Sequence, residues 1–288
     1  MISYCVVIYK NGEVLLNMMK SLEPFIELGD EILIQDNCPS FGDENIVSSF
    51  QEASRLDVKY VKSEANQGFA KACNNLAELA KNQRLIFLNP DTETQSFNRD
   101  KHVGETMIGP VVRNFSGGLE TTSGYRRNVR EEIRMRWLRL GPKQILGKPL
   151  LYISGVAISV SRDLFLQLGG FDERYFMYYE DIDLGIRANK IGVSPVLEPS
   201  WNIKHIGGSS AKKIKSESLK RSYRSSLEFH RKWNNAAEVY VWFSKADAIL
   251  RIFYSVIMRD KKSTSSYLEV LRYMNKSRDT DISQEINC

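Results

Sequence analysis

Residues 58–91 read VKYVKSEANQGFAKACNNLAELAKNQRLIFLNPD, and this stretch decides the fold class. Residues 58–61 and 84–88 are short apolar runs of strand length, and residues 69–81 between them have a helical pattern. Strands that alternate with helices in this way form β-α-β units, whose strands lie parallel in one sheet. The stretch therefore predicts an α/β fold with a mostly parallel central sheet flanked by helices.

The same alternation covers the residues before this stretch. Predicted strands lie at 2–9 and 32–35, and helical patterns follow them at 14–22 and 43–54. Two further strands are predicted at 106–112 and 151–160, separated by a basic segment, 113–149, that contains several glycines. A long connection of this kind inside a domain is typical of a lid or a binding loop.

The C-terminal part of the chain has a different pattern. A strand is predicted at 193–198, and two helical patterns follow, the second at about 237–258 with one apolar face. We therefore expect an α/β domain at 1–235 and an amphipathic helical C-terminal extension at 236–288. The last fifteen or so residues are polar, and we expect them to be frayed.

Composition indicates a soluble protein of the cytoplasm. Of the 288 residues, 42% are hydrophobic and 26% are charged, and no long apolar window predicts a membrane span. The N-terminus has no basic leader, so a signal peptide is not expected. The four cysteines are scattered without a Cys-x-x-Cys pair, which favours reduced thiols over a zinc site.

The positive charge is concentrated in two segments. Residues 204–262 contain fourteen Lys or Arg against five Asp or Glu, and residues 126–139 are also basic. Such segments suit an anionic partner, either a phospholipid surface or a pyrophosphate. A solvated helix face is the alternative interpretation. No motif for binding nucleic acid is present.

Five carboxylates lie within residues 172–183, among many aromatic side chains. Carboxylates beside apolar walls have shifted pKa values and can serve as general bases, and Glu180–Asp181 is the strongest candidate. The alternative is a capped amphipathic helix that begins near Ile182. Asp183 and Arg187 are spaced to pair on one helix face.

Polar residues also follow two of the predicted strands. Asp36 and Asn37 could accept hydrogen bonds from a nucleoside, although an Asx-turn or a helix cap fits the same dipeptide. Asp91, in Asn89-Pro90-Asp91, is a suitable ligand for Mg²⁺ or Mn²⁺, and a turn in which Asp91 caps a helix is the alternative. In a parallel sheet these side chains would meet at one edge, where ligands bind.

Two more segments could complete such a site. His205 precedes a Gly-Gly pair and could contribute an imidazole to the metal, or could be a hydrogen-bonded structural histidine. Gly68 and Phe69 begin a predicted helix whose N-terminus could face a phosphate, and a simple helix start is the alternative. Together the motifs suggest a metal-assisted transferase.

In their order and spacing, these motifs resemble glycosyltransferase family 2, within it the bacterial rhamnosyltransferase-like enzymes of cell-surface polysaccharide (O-antigen, cell-envelope) assembly. The resemblance covers residues 2 to about 232. Its landmarks are QDNCPS at 35–40, NQGF at 66–69, FLNPD at 87–91, SGVA at 154–157, GGFDE at 169–173, FMYYEDIDL at 176–184 and HIGGS at 205–209. It implies a GT-A fold and inverting transfer from a nucleoside-diphosphate sugar.

The resemblance also implies roles for individual residues. Asp181 would be the general base and Glu180 its neighbour, and Asp91 and His205 would contact Mg²⁺ or Mn²⁺. The donor site would contain Tyr9, Asp36, Asn37, Gly68, Phe69, Asn89 and Asp91. The acceptor site would contain Gly155, Phe171, Tyr179 and Arg187. Two positions depart from the family pattern, since Ile8-Tyr9-Lys10 stands where a Thr-Tyr-Asn run is usual and Asn89 replaces the first aspartate of the metal triplet.

The expected reaction is transfer of rhamnose from dTDP-rhamnose to a hydroxyl of a polysaccharide or lipid-linked saccharide. A UDP-hexose such as UDP-galactose is the alternative donor, and a non-catalytic sugar-nucleotide-binding partner of a glycosyltransferase complex is the alternative function. The amphipathic C-terminal helix would dock the enzyme on the cytoplasmic face of the inner membrane. Packing of that helix on its own domain, or on a second subunit of a homodimer, is the other interpretation.

Overall fold

The computed structural model of the chain describes residues 1–54, 56–124, 128–137, 150–207 and 215–276. The strands within these residues are β1 (Ile2–Ile8), β2 (Glu31–Asp36), β3 (Val58–Lys62), β4 (Arg84–Leu88), β5 (Thr92–Ser96), β6 (Met107–Asn114), β7 (Ser123–Gly124), β8 (Tyr152–Ile153), β9 (Ala157–Ser161) and β10 (Val196–His205). The α-helices are α1 (Glu13–Leu22), α2 (Asp43–Ser54), α3 (Gly68–Leu79), α4 (Val129–Trp137), α5 (Arg162–Gln167), α6 (Glu180–Lys190), α7 (Lys215–Trp233), α8 (Ala237–Ile257) and α9 (Lys261–Lys276).

Eight strands form one sheet in the order β3-β2-β1-β4-β9-β6-β10-β5. The neighbours β3, β2, β1 and β4 are parallel, as are β6 and β10, whereas β9 and β5 pair antiparallel with their neighbours. The sheet is therefore mostly parallel, which confirms the predicted fold class. Its first four strands and the helices between them begin and end within two residues of the predicted positions.

The central strands are buried because helices cover both faces of the sheet. Every residue of β1 and of β4 is buried, which explains their continuous apolar runs. One face packs against α1 through Leu15, Met18, Met19 and Leu22, and the opposite face packs against α3 through residues such as Leu76. Each fully buried aliphatic side chain contributes about 1.5–3 kcal/mol of transfer free energy, so this two-sided core fixes the positions of the strand ends.

Several elements differ from the prediction beyond residue 90. Residues 92–96 form β5, an edge strand antiparallel to β10, so Asp91 does not cap a helix. The predicted strand at 151–160 is broken at 154–156 into β8 and β9, which belong to different sheets. Part of the segment 113–149 is ordered as β7 and α4 rather than irregular, and residues 125–127 and 138–149 lie outside the described residues.

Within the described residues, three helices rather than the expected two follow the sheet. α7, α8 and α9 share an apolar cluster of their own that includes Tyr223, Tyr240 and Met274 and that also receives Val129 of α4. No helix in the described part of the chain is long and apolar enough to cross a membrane. The expected boundary at 235 stays a prediction, and residues 277–288, which we expected to be frayed, lie outside the described residues.

Candidate active site

A cavity of about 500 Å³ opens at the carboxyl ends of β1 and β4. Its wall contains the predicted residues Tyr9, Asn37, Gly68, Phe69, Asn89, Asp91, Gly155, Tyr179, Glu180, Asp181 and His205. These residues come from seven separate segments of the chain, and the fold brings them to one edge of the sheet, as expected for an α/β fold. Three predicted site residues, Asp36, Phe171 and Arg187, are not part of this wall.

The carboxylate of Asp181 is held by two backbone amides. The N–H of Gly155 donates to Oδ2 at 2.8 Å, and the N–H of Ile182 donates to Oδ1 at 2.7 Å. Gly155 lies in the break between β8 and β9, and Asp181 is the second residue of α6. Amide donors favour the ionised carboxylate, and the N-terminal end of a helix also favours negative charge. The arrangement suits a general base.

A strained turn just before α6 positions the carboxylates of Glu180 and Asp181. Tyr178 and Tyr179, just before α6, have φ of 73° and 72°, a region that bulky residues rarely adopt. The Tyr178 hydroxyl lies 2.8 Å from Oγ of Ser218 in α7, and the Tyr179 hydroxyl donates to the carboxylate of Glu132 in α4. Such backbone strain costs about 1–3 kcal/mol per residue. Helices α4 and α7 therefore support a turn that the local sequence disfavours.

Glu180 has a different environment from its neighbour. Its side chain is 5% exposed, and its Oε2 has no hydrogen-bond partner in the described part of the chain. Burial, and then the nearby charge of Asp181, raises the pKa of Glu180 well above its ordinary value. A buried carboxyl group with a raised pKa beside a carboxylate held by amide donors is typical of an acid and base pair.

Asp91 and His205 meet across the pairing of β5 with β10. Nε2 of His205 lies 3.4 Å from Oδ1 of Asp91, and its Nδ1 lies 2.9 Å from Oε2 of Glu120. Burial lowers the pKa of His205, but the hydrogen bonds to the two carboxylates outweigh this effect and raise it. Within the described ranges, no group of three or more His, Cys, Asp or Glu side chains could hold a metal ion.

Asp36 is buried beneath the cavity rather than lining it. Its Oδ1 accepts from the backbone N–H of Cys38 at 2.7 Å, and its Oδ2 accepts from the Tyr60 hydroxyl. The contact with Cys38, two residues further along the chain, is that of an Asx-turn, which was the alternative interpretation of Asp36. Burial raises the pKa of Asp36. The adjacent Asn37 reaches the cavity wall and donates through Nδ2 to the carbonyl of Gly68 at 3.0 Å.

The first two amides of α3 have hydrogen-bond partners within the protein. The N–H of Phe69 donates to the carbonyl of Phe176 at 2.7 Å, and the N–H of Gly68 donates to Oδ1 of Asn66 at 3.0 Å. Gly68 has φ of 80°, and a Cβ there would collide with the carbonyl of Phe176. Glycine is therefore required at position 68 for the close approach of residue 176, and the donor role of this turn stays a prediction.

Phe171 and Arg187, both predicted in the acceptor site, have structural contacts instead. Phe171 is buried beside Phe87 and Phe165, at centroid distances of 5.2 and 5.3 Å. Nε of Arg187 lies 2.7 Å from Oδ2 of Asp183, as the i, i+4 spacing predicted, and the guanidinium also donates to the carbonyl of Leu168. Neither side chain is part of the cavity wall, and the acceptor roles of both residues stay predictions.

Arg221, a residue of the cavity wall, lies outside all of the sequence motifs. Arg221 of α7 lines the cavity with Ser218, and its guanidinium lies 4.9 Å from the ring centre of Phe176. Its Nε is buried without a hydrogen-bond partner among the described residues, and burial lowers the pKa of Arg221. The basic composition of residues 204–262 was the only signal for it, and composition cannot single out one residue.

Comparisons with known proteins agree with this geometry. Residues 3–103 match the family model described as Glycosyl transferase family 2. N-acetylglucosaminyl-diphospho-decaprenol L-rhamnosyltransferase of Mycobacterium tuberculosis is 29% identical over 234 residues, which cover 69% of this chain and 74% of the relative.

Two solved structures share the fold at low sequence identity. GalNAc-T7 with UDP, GalNAc and Mn²⁺ matches 98% of this chain at 15% identity with a TM-score of 0.57, and the match spans 57% of that protein. Mannosyltransferase PcManGT from Pyrobaculum calidifontis, in complex with GDP-Man and Mn²⁺, matches 96% of this chain and 87% of its own at 12% identity and a TM-score of 0.54. With its mostly parallel sheet and the cavity at the strand ends, this chain has a GT-A fold, and its residues 3–103 are similar to glycosyltransferase family 2.

Proposed function

We propose that this glycosyltransferase moves rhamnose from dTDP-rhamnose to a hydroxyl of a lipid-linked saccharide, with inversion at the anomeric carbon. The observation that carries the proposal is the placement of Asp181. Its carboxylate is oriented by two amides at the wall of a cavity that also contains Asp91 and His205. A candidate base and a candidate cation site therefore share one cavity, as metal-assisted transfer from a sugar diphosphate requires.

The chain's own residues would perform the transfer as a single displacement. Asp181 accepts the proton of the acceptor hydroxyl while the hydroxyl oxygen forms a bond to the anomeric carbon. The bond from that carbon to the diphosphate oxygen breaks in the same step, and the electron pair leaves with the nucleoside diphosphate. Because the acceptor attacks from the face opposite the leaving group, the configuration is inverted.

Glu180 would take the complementary role beside this base. Its burial and raised pKa favour the protonated form, which can donate a hydrogen bond to a sugar hydroxyl. A second ionised carboxylate beside Asp181 would instead repel it. We therefore assign base catalysis to Asp181 and orientation of a sugar hydroxyl to Glu180.

The residues around Asp91 fit a divalent cation. Asp91 supplies a carboxylate and His205 an imidazole, a donor set suited to Mn²⁺, and Mg²⁺ commonly takes one or two carboxylates plus substrate phosphate oxygens. The described residues offer no larger cluster, so the remaining ligands would come from the diphosphate and water. A cation held by Asp91 and His205 would supply positive charge against the departing diphosphate.

Arg221 would provide a second positive charge for the donor. It forms no salt bridge with the described residues and points its guanidinium at the cavity wall beside Phe176. A desolvated arginine of this kind binds phosphate oxygens strongly. We infer that Arg221 contacts the diphosphate, which would compensate for the single carboxylate of the cation site.

The choice of donor and acceptor is supported by the relative from Mycobacterium tuberculosis, whose name states rhamnosyl transfer to a lipid diphosphate saccharide. A UDP-hexose is the second candidate, since GalNAc-T7 was solved with UDP and GalNAc. With a lipid-linked acceptor, the enzyme would work in the cytoplasm at the inner face of the membrane.

Calorimetric titration of the full chain tests the proposal. The panel contains dTDP-rhamnose, UDP-galactose, UDP-glucose and UDP-N-acetylglucosamine, each with and without Mn²⁺. We expect dTDP-rhamnose to bind, and binding to strengthen with metal. Preference for a UDP-sugar would replace the donor assignment. Donor binding without transfer to any saccharide acceptor would favour the non-catalytic partner, and silence of folded protein across the panel would contradict the proposed function.

A further inference from the structure

Helix α8 carries an apolar stripe that faces solvent. Its largest members are Trp242, Ile249, Leu250, Phe253, Val256 and Ile257. Each of these side chains is more than half exposed, and Trp242 is 69% exposed. Their spacing of three, four, seven and eight residues places them on one side of the helix. They form a continuous apolar surface along the whole of α8.

The other side of α8 is packed, so the orientation of the helix is fixed. Tyr240, Phe243 and Ala248 are buried in the cluster that α8 shares with α7 and α9. Tyr223 of α7 is also buried in this cluster, against Tyr240. Six large apolar side chains, each more than half exposed, make a patch at or above the few hundred Å² that a monomeric soluble protein usually exposes.

A positively charged groove lies beside this stripe. It has a volume of about 740 Å³ between α8 and α9, and its walls include Arg259, Lys261 and Arg272. Val256 of the stripe and Leu268 also line it. Among the described residues, none of the three basic side chains forms a salt bridge.

The acidic residues near the groove are already engaged. Glu269 pairs with Lys220 of α7, and the side chain of Asp260 accepts a hydrogen bond of 3.0 Å from the backbone N–H of Ser263 at the start of α9. Glu269 also lines the groove and interacts with Arg272, so three basic side chains face one carboxylate there and the groove keeps a net positive charge. Apolar surface and this positive charge lie next to one another.

We propose that α8 and the adjoining groove form a docking surface for an anionic lipid bilayer. The stripe would enter the boundary between headgroups and acyl chains, and Arg259, Lys261 and Arg272 would contact lipid phosphates. Each basic residue near an anionic membrane contributes about 1 kcal/mol, and burial of the apolar stripe contributes more. Trp242 at one end of the helix and Tyr254 near the other have the amphipathic rings typical of membrane interfaces.

Charge favours a bilayer over a second copy of the chain as the occupant. A second copy would bring the same apolar stripe but also the same basic groove, and the chain already has a net charge of +5. An anionic bilayer satisfies both features at once.

The docking surface and the active site share a helix. One side of α7 lines the cavity through Ser218 and Arg221, and another side packs against α8 and α9 through Tyr223 and Leu227. A bilayer bound to α8 would therefore lie on the helical layer that closes the cavity. The benefit of this arrangement for catalysis rests on the proposed lipid-linked acceptor, whereas the docking itself does not.

Vesicle flotation with the full chain tests the inference. Vesicles of phosphatidylglycerol with phosphatidylethanolamine are compared with vesicles of phosphatidylcholine alone. We expect the chain to float with the anionic vesicles. Trp242→Ser combined with Phe253→Ser should weaken flotation about tenfold or more, because two aromatic side chains no longer leave water. Leu28→Ser, at a fully exposed leucine outside the stripe, is the matched control and should change nothing.

The groove is tested separately. Arg259→Glu combined with Lys261→Glu should abolish the preference for anionic vesicles and leave thermal unfolding and nucleotide binding unchanged. Absence of flotation of the wild-type chain would overturn the inference. So would a dimer, seen by light scattering, that the Trp242 and Phe253 substitutions dissociate, because the occupant would then be a second copy. Donor calorimetry on the same variants tests the proposed function independently, because donor binding does not require the docking surface.

Discussion

The backbone N–H of Gly155 donates a hydrogen bond of 2.8 Å to the carboxylate of Asp181. The contact joins the break in the sheet between β8 and β9 to the first turn of α6, across 26 residues of sequence. It fixes the base relative to the strand ends, where the donor diphosphate is proposed to bind. Because a backbone amide makes the contact, the side chain at 155 has no part in it.

Substitution of the proposed base should separate chemistry from binding. In Asp181→Asn, turnover should fall about 10²–10⁴-fold, because the amide cannot accept the acceptor proton, while the dissociation constant of the donor stays the same. Rates of transfer are compared with donor calorimetry. The matched control is Glu180→Gln, which keeps a neutral hydrogen-bond donor and should lose about tenfold or less. Equal losses in the two variants would contradict the assignment of the base.

Removal of the carboxylate at Asp91 should affect the dependence on metal. Asp91→Asn keeps the shape of the side chain but removes the charge beside His205. We expect the strengthening of donor binding by Mn²⁺ to disappear, whereas the weaker binding without metal persists. Titrations of Mn²⁺ at fixed donor concentration measure this effect. An unchanged Mn²⁺ response would remove Asp91 from the cation site.

Arg221 should recognise the diphosphate rather than the nucleoside. In Arg221→Ala, the affinity for a nucleoside diphosphate should fall about 10- to 150-fold, the equivalent of 1.5–3 kcal/mol for a charged hydrogen bond, and the affinity for the free nucleoside should not change. Calorimetry with both ligands measures the difference. Arg224→Ala, one turn along α7 and outside the cavity wall, is the control. An equal loss for both ligands would indicate a structural role instead.

Stability should fall at mildly acidic pH because of His102. The imidazole is 5% exposed, its Nδ1 lies 2.9 Å from Oγ of Ser159, and burial, followed by the charge of Arg84, lowers its pKa from 6.5 to about 4. His102 therefore binds a proton near pH 6.5 in the unfolded chain, whereas in the folded protein it binds one only near pH 4. Stability is present above pH 6.5 and is lost as the pH falls towards 4, by about 3 kcal/mol at most.

Urea unfolding at a series of pH values checks this effect. His102→Gln keeps a polar group beside Ser159 but cannot titrate, so its free energy of unfolding should change less between pH 6.5 and 4 than that of the wild type. The residual slope reports the other titrating groups. Parallel curves for the two proteins would show that His102 does not contribute.

Much of the fold could be predicted because its signals are local. The first four strands and the helices between them follow from apolar runs and helical periodicity that two-sided burial imposes on the sequence. The edge strand β5 could not be predicted in this way, because its Thr-Glu-Thr-Gln-Ser sequence has few apolar residues and its strand geometry comes from pairing with β10. The break at 154–156 is likewise set by the two sheets that β8 and β9 join.

For the candidate site, too, some features follow from local sequence and others from tertiary structure. The sequence by itself determined which chemistry is present, since the motifs containing Asp91, Asp181 and His205 hold their residue types at a recognisable spacing. Only the tertiary structure decided which neighbours reach the cavity. In the structure Phe171 and Arg187 contact residues of the protein interior, and Arg221 lies in the cavity wall. Motifs depend on local order along the chain, whereas burial and access to a cavity depend on packing between distant segments.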